Sequence, residues 1–436
     1  MNILIKNGRV INSATGFDEI CDIAVESPHV IAIKNIAKNF IPTKTIDATG
    51  CIVTAGLVDL AARLREPGHE HEGMLQSELA AAVAGGVTSL VCMPDTEPVL
   101  DEPGLIEMLK FRAEKQHQSR VFPLGALTVN LKGEVLTEMV ELSEAGCVGF
   151  SQAEVPLENT QVLQRALQYA STFGYTIWLR PQDMHLGKGV AASGALATRM
   201  GLSGVPVAAE TIALHTIFEL MKSTNAKVHI CRISSAAGVA LVRQAKLDGL
   251  QVSCDVSINS LHLTDVDLGY FDSRARLNPP LRQQRDRDAL RASLLDGTID
   301  ALVSDHTPVD EDAKTLPFAE AEAGATGLEL LLSLALKWQS ESSDKSLTLA
   351  KTLATVTSQP AKVFSTNLPA AKSSLGQLGQ LTVGGAADIC VFDPQAMWVV
   401  ANDTLRSQGK HTPFSGYELP GQVRATLVGG HVAFER

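Results

Sequence analysis

Hydrophobic and polar positions along this chain fall into three regimes. Residues 2–11 alternate apolar and polar side chains, and 20–25, 30–33 and 52–53 repeat the pattern in shorter form. A period of two predicts half-buried strands. From residue 57 to about 364 the pattern changes. Apolar runs at 57–62, 89–93, 121–125, 146–150, 175–179, 226–230, 252–256 and 299–303 alternate with longer helix-like stretches at 74–84, 104–117, 160–172, 210–223 and 238–248. Strand, helix, strand in this rhythm predicts parallel βαβ units whose strands are buried on both faces. Eight such runs are the number a closed barrel needs. After residue 370 short strand patterns return, at 388–392, 398–400 and 423–432.

Neither β-rich end is large enough to hold a core alone, so the economical arrangement pairs the two ends. The expectation is an α/β chain in three segments. Residues 1–54 form one part of a small β-sandwich, 55–369 a (β/α)8 barrel, and 370–436 the second part of the sandwich. The small-residue stretch 370–379 reads as a linker.

Composition narrows the function classes. With 45% hydrophobic and 19% charged residues over 436 positions, the chain has ample material for a core. The 37 Lys and Arg against 48 Asp and Glu leave a net charge of −11, and no basic cluster offers a nucleic acid its phosphate contacts. No uninterrupted apolar run reaches the roughly 18 residues of a membrane span, and the start lacks the apolar segment of a signal peptide. No membrane association and a cytoplasmic location are therefore expected. The seven cysteines are scattered without C-x-x-C spacing, which reads as buried thiols in a reducing compartment.

Several segments together carry a resemblance. They are Gly56-Leu57-Val58-Asp59 leading into Leu64-Arg65-Glu66-Pro67-Gly68; Gly85-Gly86-Val87-Thr88 followed by Cys92-Met93-Pro94-Asp95-Thr96; and Gly149-Phe150-Ser151. Further along stand Leu277-Asn278-Pro279-Pro280, Ser304-Asp305-His306-Thr307-Pro308 and Gly384-Gly385-Ala386-Ala387-Asp388. In this order, across nearly the whole chain, they resemble the cyclic amidohydrolases, dihydroorotases most closely. The resemblance implies a (β/α)8 barrel of the amidohydrolase type with a composite β-sandwich. It also implies a zinc-activated water at the C-terminal ends of the barrel strands.

At the positions where the resemblance places zinc ligands, this chain carries other residues. The His-x-His pair that should end the first barrel strand is Ala61 and Arg63. The acidic pair after Phe150-Ser151 is Gln152-Ala153, and two further histidine positions hold Arg180 and Arg232. Of the expected ligand set Asp305 alone remains. Guanidinium has no lone pair to give a metal, and a catalytic zinc needs about three protein ligands. No metal and no cofactor are therefore expected. Arg65 matches the family's substrate-carboxylate arginine, while Asp95 replaces the asparagine that usually accompanies it.

If Arg63, Arg180 and Arg232 converge on the old pocket, three buried cations require partners; Asp305, Asp95 or a bound anion are the candidates, and Asp305 should have its pKa lowered by the cations around it. The alternative is that the three arginines are solvated side chains with no such role. His69-Glu70-His71, past the strand end, reads as surface. His229, His262 and His306 read as hydrogen-bonded structural histidines, and Ser234-Ser235 has no histidine beside it to activate a nucleophile. The resemblance points to a specific case, an inactive dihydroorotase-like chain that assembles with the catalytic chain of aspartate carbamoyltransferase in pyrimidine biosynthesis. The alternative is an active zinc cyclic amidohydrolase (dihydroorotase, hydantoinase or allantoinase) with an unusual site.

Overall fold

The computed structural model describes residues 1–365 and 377–436. Eight parallel barrel segments follow one another: Leu57–Ala62, Val87–Cys92, Arg120–Pro123, Phe150–Ser151, Thr176–Leu179, Lys227–Ile230, Val252–Ser257 and Ala301–Val303. The third breaks at Leu124. Its first part pairs with Val87–Cys92 and its continuation, Gly125–Ala126, pairs with Phe150–Ser151. The ring closes between first and last strands, where the His306 N–H donates to the Ala61 carbonyl (3.1 Å) and the Arg63 N–H to the His306 carbonyl (2.8 Å). The expected α/β barrel is the observed one.

Burial explains why these strands read as continuous apolar runs. Val58, Leu60, Val91, Phe122, Trp178 and Val303 fill the barrel interior, joined by Phe364 and Leu378. Their strand neighbours Leu57, Leu90, Ile177, Val228 and Leu302 face the surrounding helices, so both faces are dry. Local chemistry sets the helix ends. Thr160–Phe173 starts where the Asn159 side chain accepts from the N–H groups of Gln161 and Val162 and stops at Gly174, left-handed at φ 75°. Ala236–Leu247 starts where the Ser235 hydroxyl caps Gly238.

The two chain ends do combine. Strands Asn2–Asn12, Phe17–Glu26, His29–Ile33, Lys44–Asp47 and Ile52–Ala55 join Ile389–Val399, Glu418–Val428 and His431–Glu435 in one eight-stranded sheet. The seam is antiparallel, Val53 opposite Val391, over a separate core that includes Ile3, Ile23, Val25, Val53, Ile389 and Leu427.

Three details differ from the sequence reading. The strand expected at 146–150 shrinks to Phe150–Ser151, because Gly146 is still the left-handed cap of helix Met139–Ala145. The run 423–432 is two strands, split where Gly429 and Gly430 turn the chain at φ 54° and 72°. The run 398–400 mostly belongs to the longer Ile389–Val399. The expected boundary at 369/370 and most of the linker at 370–379 lie outside the described residues. All seven cysteines are free, Cys21 half-buried and the others buried. Among the described residues no helix is long and apolar enough to cross a membrane.

Candidate functional site

Six of the eight barrel strands deliver a charged residue, one to three positions past the C-terminal end, to the same mouth, where barrels of this type carry their chemistry. Arg63 follows the first strand, Asp95 the second, Glu154 the fourth, Arg180 the fifth, Arg232 the sixth and Asp305 the eighth. They meet. Glu154 Oε1 accepts from Arg63 Nη2 (2.7 Å) and from Arg232 Nη2, while Oε2 accepts from Arg180 Nη1 (2.7 Å) and Asn278 Nδ2 (2.8 Å). Around this hub Arg63 Nε donates to Asp95 (2.8 Å) and Arg232 Nη1 to Asp305 (3.0 Å). Asn278 also accepts, through its side chain from Arg180 (2.5 Å) and through its carbonyl from Arg232 (3.1 Å). The three arginine side chains are only 3–7% exposed.

The partners the arginines required are thus carboxylates of the chain itself, and the central one escaped the sequence reading. That reading looked for an acidic residue directly after Ser151 and met Gln152 and Ala153. Gln152 spends its amide elsewhere, accepting from Thr128 (2.9 Å) and donating to the Leu131 carbonyl (2.7 Å). Ala153 sits at φ 50°, a left-handed turn that costs a non-glycine residue energy and precedes Glu154. The available signal was an acid two positions downstream of the expected pair. Ala61 packs in the apolar barrel interior and brings no polar atom to the mouth.

Arg65 is also engaged. Its Nε donates to the Pro308 carbonyl (2.9 Å) and lies 2.6 Å from the Glu72 carboxylate, with Glu322 at 3.5 Å from Nη2. Arg63, Arg65, Asp95, Glu154, Arg232 and Asp305 line a cavity of about 240 Å³. Its arginines are already matched by carboxylates, so it is not a cationic pocket.

Electrostatics separates the carboxylates. Burial pushes Glu154 up, but Arg232, Arg180 and Arg63 together hold it well below the usual carboxylate range. Asp305 goes the other way: burial raises it, against the pull of Arg232 and Arg63 and with the repulsion of Glu154. This corrects the expectation that neighbouring cations would lower it. The buried anion faces a second anion, and its nearest cation is shared. An acid whose pKa rises on folding loses stability as pH climbs through the raised value. Asp305→Asn is therefore expected to cost less unfolding free energy near neutral pH than removal of Glu154, whose pKa folding depresses, read by urea denaturation of both variants.

The family profile described as Dihydro-orotase-like matches residues 50–237. A "Dihydroorotase-like protein" of Pseudomonas putida is 43% identical over 433 residues, covering 99% of this chain and 99% of the relative. The chain belongs to the dihydroorotase-like family. A "Dihydroorotase" of Geobacter metallireducens is 39% identical with full coverage of both chains. Among solved structures, L-hydantoinase (dihydropyrimidinase) from Arthrobacter aurescens superposes with a TM-score of 0.86 at 25% identity, over 99% of this chain and 96% of that one. D-hydantoinase from a Thermus species gives 0.83 at 22% identity, over 99% of this chain and 95% of that one.

The zinc that this family resemblance implies does not fit the residues present. At the mouth of the dihydroorotase-like barrel, Glu154, Asp95 and Asp305 are each bound to guanidinium, and no histidine joins them. Among the described residues one other group of metal-binding types comes together, His229, Cys231 and Asp255. His229 bonds Ser253 and Asp255 through its two nitrogens (2.8 Å each), and Asp255 also accepts the Arg232 N–H (2.7 Å). Burial pushes the Cys231 thiol far up, so it keeps its proton; this group is a satisfied core network.

The remaining histidines and serines have structural duties. His71 is exposed and His69 partly so, flanking Glu72 at 3.6 and 4.0 Å. His262 bonds the Leu334 carbonyl (2.9 Å) and is held neutral by burial, its pKa lowered to about 3. Ser234 and Ser235 both donate their hydroxyls to buried Glu210 (2.6 and 2.5 Å).

Proposed function

We propose that this dihydroorotase-like chain is a catalytically inactive homologue that serves as an assembly subunit of an aspartate carbamoyltransferase complex in pyrimidine biosynthesis. The observation that carries the inactive half is the three-arginine embrace of Glu154. Guanidinium groups stand where ring hydrolysis needs metal ligands, and they consume the carboxylates that remain. The cluster takes over the tie between strand ends that a metal would otherwise supply, which keeps the barrel intact as a scaffold. The partner is inferred from the sequence resemblance. The name "Dihydroorotase-like protein" on two Pseudomonas relatives, at 43% and 41% identity, is in keeping with a branch set apart from the enzymes.

A second reading, an active cyclic amidohydrolase with an unusual site, draws on the relatives named "Dihydroorotase" at 37–39% identity. The assembly role has its own test. The aspartate carbamoyltransferase of the same cell, purified alone, is expected to be incompletely assembled or poorly active, and to recover on mixing with this chain. Binding to the assembled form alone shifts the equilibrium toward it. Mass measurement and transferase assay before and after mixing read the outcome. A transferase fully active and normally assembled by itself would remove the role.

A further inference from the structure

We infer that residues 308–326, between the last barrel strand and helix Leu331–Glu341, form a strap over the mouth that Lys314 ties down when its amine is uncharged. The strap reaches the arginine cluster directly: Glu322, Ala323, Gly324 and Ala325 line the mouth cavity together with Arg63, Glu154 and Arg232. Little holds its outer limb. Between 311 and 320 the buried side chains are Lys314 and Phe318, each 3% exposed. Phe318 joins the apolar core around the barrel. Lys314, on the short helix Glu311–Thr315, puts its amine on the turn at 272–276.

The surroundings of that amine suit its neutral form. Nζ donates to the carbonyls of Ser273 (3.1 Å) and Arg276 (3.0 Å), and among the described residues it bonds to no carboxylate. An ammonium has three hydrogens to place, a neutral amine two. Two carbonyls satisfy the amine, whereas the cation keeps one N–H unmet and a buried charge unpaired. The same turn fastens the strap by its backbone. The Ser273 hydroxyl donates to the Lys314 carbonyl (2.5 Å), the Gly324 N–H to the Arg276 carbonyl (3.1 Å), and across the strap the Glu322 N–H to the Ala313 carbonyl (3.2 Å).

The charged groups around Lys314 are Asp310 and Glu311 on its own limb, Asp272, Arg274 and Arg276 on the turn, Glu322 on the returning limb and His411 beyond. Burial, aided by Arg276 and opposed by Glu322 and Asp272, pushes the Lys314 pKa down to about 7, and burial lowers His411 from its ordinary value. Above neutral pH these carboxylates are already ionised, His411 is already neutral and the arginines are still protonated. Lys314 alone changes charge there. With the strap open, the amine meets water and regains its ordinary affinity for a proton. Closure therefore gains nothing from Lys314 below about pH 7, where open and closed forms are both protonated, and strengthens as pH rises toward the ordinary lysine range. The strap does not depend on the proposed assembly role.

The test is hydrogen–deuterium exchange of the full chain, corrected for the intrinsic effect of pH, from about pH 6 to about pH 9. The amides of Glu322 and Gly324 are expected to exchange faster than those of strand Val87–Cys92, as a strap that opens without the barrel requires. Their protection should be level below about pH 6.5 and rise by up to about tenfold per pH unit above about pH 7.5. Lys314→Met, which carries no proton, and Lys314→Arg, which keeps one throughout, should each flatten that rise. A level profile in the wild type, a rise that persists in either variant, or strap amides that exchange only together with the barrel strand would each overturn the proposal.

Discussion

Glu154→Ala is expected to lower the unfolding free energy by about 2–4 kcal/mol at neutral pH, in the range for removing one partner from a buried charge set. The substitution strips Arg63, Arg180 and Arg232 of their shared carboxylate and leaves Asp95 and Asp305 to neutralise what remains. Glu154 keeps 29% of its side-chain exposure through the cavity, so water screens part of the loss and the upper extreme for fully dry pairs does not apply. The pH dependence has a definite sign. A carboxylate whose pKa is depressed by folding contributes stability that is complete above the ordinary carboxylate range and lost as pH falls toward the depressed value. The gap between wild type and Glu154→Ala should therefore close in acid. Denaturant unfolding across a pH series measures it; a gap below about 0.5 kcal/mol at neutral pH, typical of surface changes, would show that the arginines do not need Glu154.

A still larger loss, about 3–5 kcal/mol, is expected for Glu78→Ala. Glu78 is fully buried on helix Leu75–Ala84 and receives His306 Nε2 (2.8 Å), the Ser407 hydroxyl (2.5 Å) and the Gln408 N–H (2.9 Å). His306 Nδ1 accepts the Gly327 N–H (3.1 Å), so its proton sits on Nε2 and points at Glu78. One carboxylate thus ties a barrel helix to the last strand end and to the segment before the final strands. Burial raises its pKa, but His306 and the other donors bring it below the ordinary value, so this stability too is lost in acid. Equilibrium unfolding gives the magnitude, and a change under about 1 kcal/mol would mean water replaces the missing carboxylate without strain.

The fold was readable because buried parallel strands leave uninterrupted apolar runs, and Leu57–Ala62 and Val87–Cys92 are buried at every position. The two-residue strand Phe150–Ser151 was not readable at its true length, since the approach from Gly146 looks as apolar as the strand itself. The turn at Gly429-Gly430 was present in the sequence but hidden inside one apolar run. At the mouth, the resemblance drew attention to Arg63, Arg180, Arg232 and Asp305, and the structure brings all four together. It said nothing of Glu154, and it included Asn278 in a shared segment without giving it a part at the mouth. Their role arises from a left-handed step at Ala153 and from a loop 124 positions away in sequence. No local pattern encodes such a meeting. The raised pKa of Asp305 was likewise beyond reach, because its sign depends on how completely the residue is buried and on a second carboxylate nearby.

The proposal that this barrel has exchanged its metal chemistry for an ion-pair cluster meets its most direct test in dihydroorotate hydrolysis by the purified chain after zinc loading and removal of excess metal. The expected result is turnover indistinguishable from the protein-free blank. Turnover above the blank that a chelator abolishes and zinc restores would contradict the account.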